Sequence, residues 1–250
     1  MSSRSIDIHA MNTNPRVHAM IVAAGRGSRF GATTAKQYTL LNQQTLLQHS
    51  VARLASSVYI SHCLLVVAAD DSTARTLDFS LPIYYATGGD ERWQSVYAGV
   101  EAIVERGADD SDLILIHDAA RPAVPTADIN HVIAAARLEP YGAILAAPVA
   151  DTLKQSQLFA DDSSFTAHEY IQRTLDRTSI WQAQTPQVFR VGHLRQVLSY
   201  IAKHKLIITD EASAFETLNL PIRLVAGSRQ NIKLTYPEDA ILLAAILSTQ

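Results

Sequence analysis

Fifteen residues near the start of the chain, "AAGRGSRFGATTAKQ" from Ala23 to Gln37, gather three glycines, two arginines and a lysine directly after an apolar run. These residue types suit an anion: Gly25 and Gly27 let backbone N–H groups approach a ligand, and Arg29 and Lys36 supply charge. A dinucleotide fingerprint requires G-x-G-x-x-G, but Phe30 stands where the third glycine belongs and Gly31 comes one residue late. An ATP-type loop requires lysine directly after its last glycine, but Ala32 follows Gly31 and the lysine arrives only at Lys36. What remains is a flexible turn with two cations, suited to clamping a polyphosphate. Read in isolation, it serves equally as a solvated surface turn.

Two further clusters could join it. In "GGDERWQSV" (88–96), Gly88 and Gly89 permit close backbone approach, and Asp90 and Ser95 can offer acceptors or donors to a flat heterocycle. Asp90 could also be simply the cap of the helix that follows. In "LILIHDAARP" (113–122), a buried strand delivers Asp118 at its carboxyl end, with Arg121 close behind. A carboxylate there can hold Mg²⁺, which takes one or two carboxylates plus phosphate oxygens and water, and it can equally be a turn residue. The Asp110–Asp112 pair precedes its strand and so faces the opposite edge of the sheet.

These clusters need a scaffold, and the chain alternates strand with helix. Short apolar runs at 17–24, 63–69, 81–87, 113–117 and 142–149 read as strands buried on both faces. Helical spacing follows Gln44, Asp90 and Thr126, with Thr126 as a plausible cap. The alternation predicts an α/β, Rossmann-like single domain over 17–250, with a mostly parallel central sheet flanked by helices. At about 151–178 the order breaks into a polar stretch with a turn-rich "ADDSS" in its middle, read as a projecting β-arm. A two-stranded arm is marginal alone, so a second copy of the chain is the simplest partner. Beyond it, "VGHLRQVLSYIAKH" and "DEASAFETLN" read as helices, "IRLVAG" and "NIKLT" as strands, and "PEDAILLAAILST" as a closing helix with Pro237 in its first turn.

Composition narrows the function classes. Of the 250 residues, 48% are hydrophobic and 18% charged, the balance of a globular chain with a sizeable core. A net charge of -3 provides no field to attract nucleic acid or an anionic membrane. The single cysteine, Cys63, sits in a strand run and reads as core. No apolar stretch reaches the ~18 residues of a membrane span, and residues 1–16 read as a disordered tail without a secretory core, so a soluble, cytoplasmic protein is expected.

Taken together and in order, "AAGRGSR…AKQY", "GGDERWQSV", "HDAARP", "DTLK", "LDR…W…TPQ", "TDEAS" and "NIKLT" resemble the 2-C-methyl-D-erythritol 4-phosphate cytidylyltransferases of the non-mevalonate isoprenoid pathway, from about Val17 to the end. The ribitol 5-phosphate cytidylyltransferases are similar. The resemblance implies transfer of CMP from CTP to a polyol phosphate with Mg²⁺ as cofactor, in a homodimer joined through the arm. It implies catalytic roles for Arg29, Lys36 and Lys233, with Asp118 as metal ligand. Ala23, Ala24, Gly25, Gly27, Gly89, Asp90 and Ser95 would hold the nucleotide. Arg121, Thr152, Thr185 and Thr209 would meet the polyol phosphate, with Arg177 reaching in from the partner's arm. Val22 and Ala35 depart from the prolines common at those places, and neither change removes a charge. A non-catalytic nucleotide-binding module is the rival from another class, and the broken fingerprint disfavours a nicotinamide dehydrogenase.

Overall fold

A computed structural model of the chain describes residues 14–25, 35–160 and 167–250. In chain order, β1 (Val17–Val22) leads through the short strands β2 (Leu40–Leu41) and β3 (Gln44–Thr45) into α1 (Leu46–Ala55), β4 (Cys63–Val67), β5 (Ile83–Thr87) and α2 (Arg92–Glu105). Then come β6 (Leu113–Asp118), α3 (Thr126–Leu138), β7 (Gly142–Pro148), β8 (Leu153–Ala160), β9 (Ala167–Leu175) and β10 (Trp181–Arg190). The chain closes with α4 (Val191–His204), α5 (Glu211–Thr217), β11 (Arg223–Ala226) and α6 (Asp239–Leu247). No helix among the described residues is long and apolar enough to cross a membrane.

The central sheet has seven strands in the order β11-β7-β10-β6-β1-β4-β5. Every pairing in it is parallel except the two made by β10. The continuous apolar runs follow from burial on both faces. In β1, Ile21 packs with Leu47 and Val51 of α1 and Val132 of α3 on one side, while Met20 packs with Val96 and Val100 of α2 and Leu194 of α4 on the other. Helices therefore cover both faces of the sheet.

β10 was not legible as a strand of this sheet because its buried half is largely polar. Thr185, Gln187 and Arg190 are each less than a twentieth exposed. Each finds a partner: Thr185 bonds to His117, the Gln187 amide donates to Asp210, and the Arg190 guanidinium donates to the carbonyls of Ser111 and Arg137, while Gln187 Oε1 has none among the described residues. Buried polar groups persist where they find such partners. Only Val188 and Phe189 supply the apolar signal, with Phe189 stacked on Phe215 at 5.0 Å.

Several local expectations need correction. "NIKLT" forms no strand: it runs extended beside the sheet, with the Asn231 amide donating to the Thr185 carbonyl and Leu234 N–H donating to the Ala120 carbonyl. Thr126 opens α3 and Pro125 takes the cap position, so the threonine side chain caps nothing there. Glu91 rather than Asp90 caps α2, its N–H donating to Gln94 Oε1 at 3.0 Å. Of the expected tail, residues 1–13 lie outside the described residues, while Pro15 is buried and Arg16 N–H donates to Asp112. That contact places the Asp110–Asp112 pair at the edge of the sheet away from the loops described below. β8 and β9 pair antiparallel as a separate two-stranded sheet that exposes Leu158 and Ile171 on one face and Phe159 and Tyr170 on the other.

Candidate active site

The strand order reverses at β1, whose neighbours β4 and β6 lie on either side of it. Ligands of open α/β sheets bind at such a switch point, beyond the carboxyl ends of the strands. The register sets Val22 beside both Asp118 and Val66, so the ends of three strands are level there. Beyond them lies a cavity of about 210 Å³ lined by Ala23, Ala24, Gly25, Lys36, Gly89, Asp90, Arg92, Ser95, Asp118 and Lys233, among others.

One end of the cavity is shaped by backbone. Ala23 N–H donates to the Val66 carbonyl and the Ala23 carbonyl accepts from the Gln37 side chain, so this residue anchors the turn while Ala24 and Gly25 face the opening. Gly88 has no room for a side chain: a Cβ there would lie 2.6 Å from both Ala24 Cβ and Ser95 Oγ. Ser95 is buried, and its hydroxyl accepts from Gly89 N–H at 3.1 Å, which fixes the glycine pair over the start of α2. The glycine pair thus leaves no room for a side chain beside Ala24 and Ser95 and keeps this end of the cleft open to backbone contact.

The other end is a network of charges. Asp118 receives Arg92 Nη2 on Oδ1 at 3.2 Å and Lys233 Nζ on Oδ2 at 2.7 Å. Arg92 Nη1 reaches Glu211 Oε1 at 2.5 Å, so one guanidinium bridges two carboxylates from different elements. Burial opposes ionisation of Asp118, but Arg92 and then Lys233 overcome it and hold the carboxyl well below the usual range. Burial pushes Glu211 upward, and Arg92 works against that shift. Burial likewise works against the charge of Arg92, and the two carboxylates outweigh it. Glu211 Oε2 is fully buried without a hydrogen-bond partner among the described residues.

Asp118 is also fixed from behind. Its N–H donates to Thr185 Oγ1, the threonine hydroxyl donates to His117 Nδ1, and His117 Nε2–H donates to the Arg121 carbonyl. This chain requires a neutral imidazole, and burial lowers the His117 pKa to about 4. Lys36 Nζ donates to the Leu234 carbonyl at 2.7 Å, tying the end of the glycine turn to the segment that carries Lys233.

A second cleft adjoins the first and shares Lys233 with it. Arg121, Pro148, Asp151, Gln184 and Arg229 line it. Arg121 is held in place by donating to the carbonyls of Asn231 at 2.6 Å and Ala183 at 3.3 Å. Two clefts that meet at a lysine, itself paired with a carboxylate of the first, can bring two anionic reactants together.

The model of the family described as IspD, 2-C-methyl-D-erythritol 4-phosphate cytidylyltransferase, matches residues 17–249. The chain belongs to this family. The cytidylyltransferase of that name from Psychrobacter arcticus is 67% identical over 264 aligned positions, covering 96% of this chain and 94% of the relative. A crystal structure of 4-diphosphocytidyl-2C-methyl-D-erythritol synthase superposes with a TM-score of 0.76 at 34% identity, covering 94% of this chain and 99% of that one. The 2-C-methyl-D-erythritol 4-phosphate cytidylyltransferase of Francisella tularensis superposes with a TM-score of 0.75 at 27% identity, covering 92% and 99%. The protein is thus an enzyme of the nucleotidyltransferase type, with the α/β fold of that family.

Within this cytidylyltransferase fold the expected site residues fall into groups. Ala23, Ala24, Gly25, Lys36, Gly89, Asp90, Ser95, Asp118 and Lys233 line the first cleft and Arg121 the second. Gly27 and Arg29 lie outside the described residues. Thr152 is exposed between Asp151 and Leu153 at the mouth of the second cleft. Thr185 is buried with its hydroxyl committed to Asp118 and His117. Thr209 is exposed ahead of α5, its N–H donating to Ser213 Oγ. Arg177 is exposed in the turn between β9 and β10 and lines neither cleft. The residues that sequence reasoning missed are Arg92 and Glu211. Both stand inside quoted motifs, but nothing in a spacing of 119 residues announces that they pair.

Both Asp118 oxygens accept from cations, Arg92 and Lys233, so a magnesium ion there would share the carboxylate with them and take its remaining ligands from phosphate oxygens and water, which Mg²⁺ tolerates. No group of three or more His, Cys, Asp and Glu among the described residues could hold a metal without such help.

Proposed function

We propose that the protein transfers CMP from CTP to 2-C-methyl-D-erythritol 4-phosphate, giving 4-diphosphocytidyl-2-C-methyl-D-erythritol and pyrophosphate, in cytoplasmic synthesis of isoprenoid precursors. The observation that carries this reading is the junction of the two clefts at Lys233, which pairs with Asp118, with a glycine-walled cleft on one side and an arginine-lined cleft on the other. A phosphate oxygen of the polyol phosphate forms a bond to the α-phosphorus. The bond from that phosphorus to the oxygen bridging it to the β-phosphate breaks, and its electron pair leaves with pyrophosphate. Nothing here needs a covalent nucleophile, so positioning and charge stabilisation supply the catalysis.

Cytosine occupies the slot made by Ala24, Gly89, Asp90 and Ser95. Arg29 takes the outer phosphates, and Lys36 and Lys233 stabilise the charge that develops on the α-phosphate. Mg²⁺, held by Asp118 together with nucleotide phosphate oxygens, would neutralise part of the triphosphate charge. Thr185 acts through Asp118, holding its backbone, while Arg121 and Thr152 face the polyol. The arm packs against a second copy of the chain and carries Arg177 to the neighbouring cleft, which accounts for the exposed apolar residues on its two faces, Leu158 with Ile171 and Phe159 with Tyr170.

Incubation with CTP, 2-C-methyl-D-erythritol 4-phosphate and Mg²⁺, followed by mass analysis, tests the reaction. The expected product is the cytidine diphosphate ester of methylerythritol. Recovery of both reactants unchanged contradicts the reading.

A further inference from the structure

The structure assigns to Arg229 the capture of the second substrate's phosphate as it enters the cleft beside Lys233. This assignment rests on the proposed reaction and adds a residue to it. Among the described residues the second cleft has three cationic walls, Arg121, Lys233 and Arg229, and one carboxylate, Asp151. Two of the cations are already engaged. The Arg121 guanidinium donates to the Asn231 and Ala183 carbonyls, and Lys233 pairs with Asp118. Arg229 makes no hydrogen bond, ion pair or ring contact among the described residues, and it is exposed to the cleft.

Its backbone is nonetheless held firmly. Gly227 N–H donates to the Ala146 carbonyl at 2.9 Å, and Ser228 N–H donates to Asp128 at 2.7 Å. The Ser228 carbonyl accepts from the Gln184 amide at 3.1 Å, and Gln230 N–H donates to Ser228 Oγ at 3.1 Å. On the far side the buried Asn231 donates to the Thr185 carbonyl at 2.8 Å. A loop tied on both sides of one unpaired arginine presents a planar fork from a fixed base, so little backbone entropy opposes binding. A guanidinium pairs with a phosphate monoester through two parallel hydrogen bonds, and a dianion would relieve the repulsion among the three cations. Arg229 stands at the wall rather than at the junction with the nucleotide cleft, so it serves binding rather than the transfer step.

The test compares the unsubstituted enzyme with R229A, R229K and R229E. Loss of a charge-assisted pair predicts a rise in KM for 2-C-methyl-D-erythritol 4-phosphate of about tenfold to a hundredfold in R229A. R229K should recover part of the loss and R229E deepen it, while KM for CTP and kcat at saturation stay within about twofold. Unchanged KM for the polyol phosphate, or an equal rise in KM for CTP, overturns the assignment. The rise in Tm produced by the polyol phosphate alone is read in parallel. An enzyme that shows this rise without turnover faults the proposed reaction, and loss of the rise in R229A still upholds Arg229. A rise that R229A retains, or none in either protein, removes Arg229 from this role.

Discussion

Asp118 takes its character from its neighbours more than from its own position. Arg92 and Lys233 hold it ionised, and Glu211 in turn holds Arg92. Removing one member of a buried ion pair leaves the other uncompensated, at a cost of about 3–5 kcal/mol. Glu211→Ala leaves Arg92 paired with Asp118 and partly open to solvent, so stability to denaturant should fall by less, about 1–3 kcal/mol, and an unchanged stability would mean the Glu211 pair contributes nothing. Lys36 is a different case, because the proposed reaction uses its ammonium. Lys36→Ala should unfold as the parent does and turn over at least about a hundredfold more slowly, the scale of losing one transition-state donor. Near-normal turnover would remove the lysine from that role.

His117 makes a pH prediction at the same scale. Its pKa is about 4 in the folded protein against 6.5 unperturbed. Between these values the unfolded chain binds a proton that the folded protein refuses. The stability contributed by the neutral ring is complete above the higher value, declines as pH falls through the window, and is gone below the lower one, a total on the order of 3 kcal/mol. Urea unfolding across the window should show a shallower pH dependence for His117→Gln than for the parent. Parallel curves would contradict the neutral, hydrogen-bonded imidazole.

At the scale of elements, the sequence made legible what rests on periodicity. The apolar runs at 63–69 and 142–149 became β4 and β7, and the turn "GGD" did fall at the carboxyl edge, because strands buried on both faces leave an unambiguous pattern. β10 stayed hidden because its register in the sheet is secured by polar side chains whose partners, Asp210, Ser111 and Arg137, are distant in sequence. "NIKLT" misled for the opposite reason: alternating residues usually signal a strand, but here Asn231 and Leu234 anchor an extended segment that brings Lys233 to Asp118. The slot over α2 depends on the absence of one methyl group. Gly88→Ala would force Ala24 or Ser95 aside. KM for CTP should rise at least about tenfold, equivalent to ~1.4 kcal/mol, with a smaller effect on the polyol phosphate. An unchanged KM for CTP would mean the base binds elsewhere.

For the whole molecule, the arm is the feature that a single chain leaves unexplained. Leu158 and Ile171 are each about two-thirds exposed, at 68% and 65%, on a two-stranded ribbon that gains little by itself. In the dimer proposed here, sedimentation should give twice the chain mass, and Leu158→Asp with Ile171→Asp should yield a folded monomer of greatly reduced activity. A parent that sediments as a fully active monomer would remove the arm from the catalytic account. The fold and the nucleotide cleft follow from one chain, whereas the role proposed for Arg177 requires two.

In the proposed reaction the two clefts join CTP to a particular polyol phosphate beside Lys233 and Asp118. The most direct measurement is pyrophosphate release with Mg²⁺, comparing kcat/KM for 2-C-methyl-D-erythritol 4-phosphate and ribitol 5-phosphate, each with CTP and with ATP, GTP and UTP. The account predicts release that requires CTP and is fastest with the methylerythritol phosphate. Equal or faster turnover of ribitol 5-phosphate, release with any nucleotide, or no release at all would contradict it.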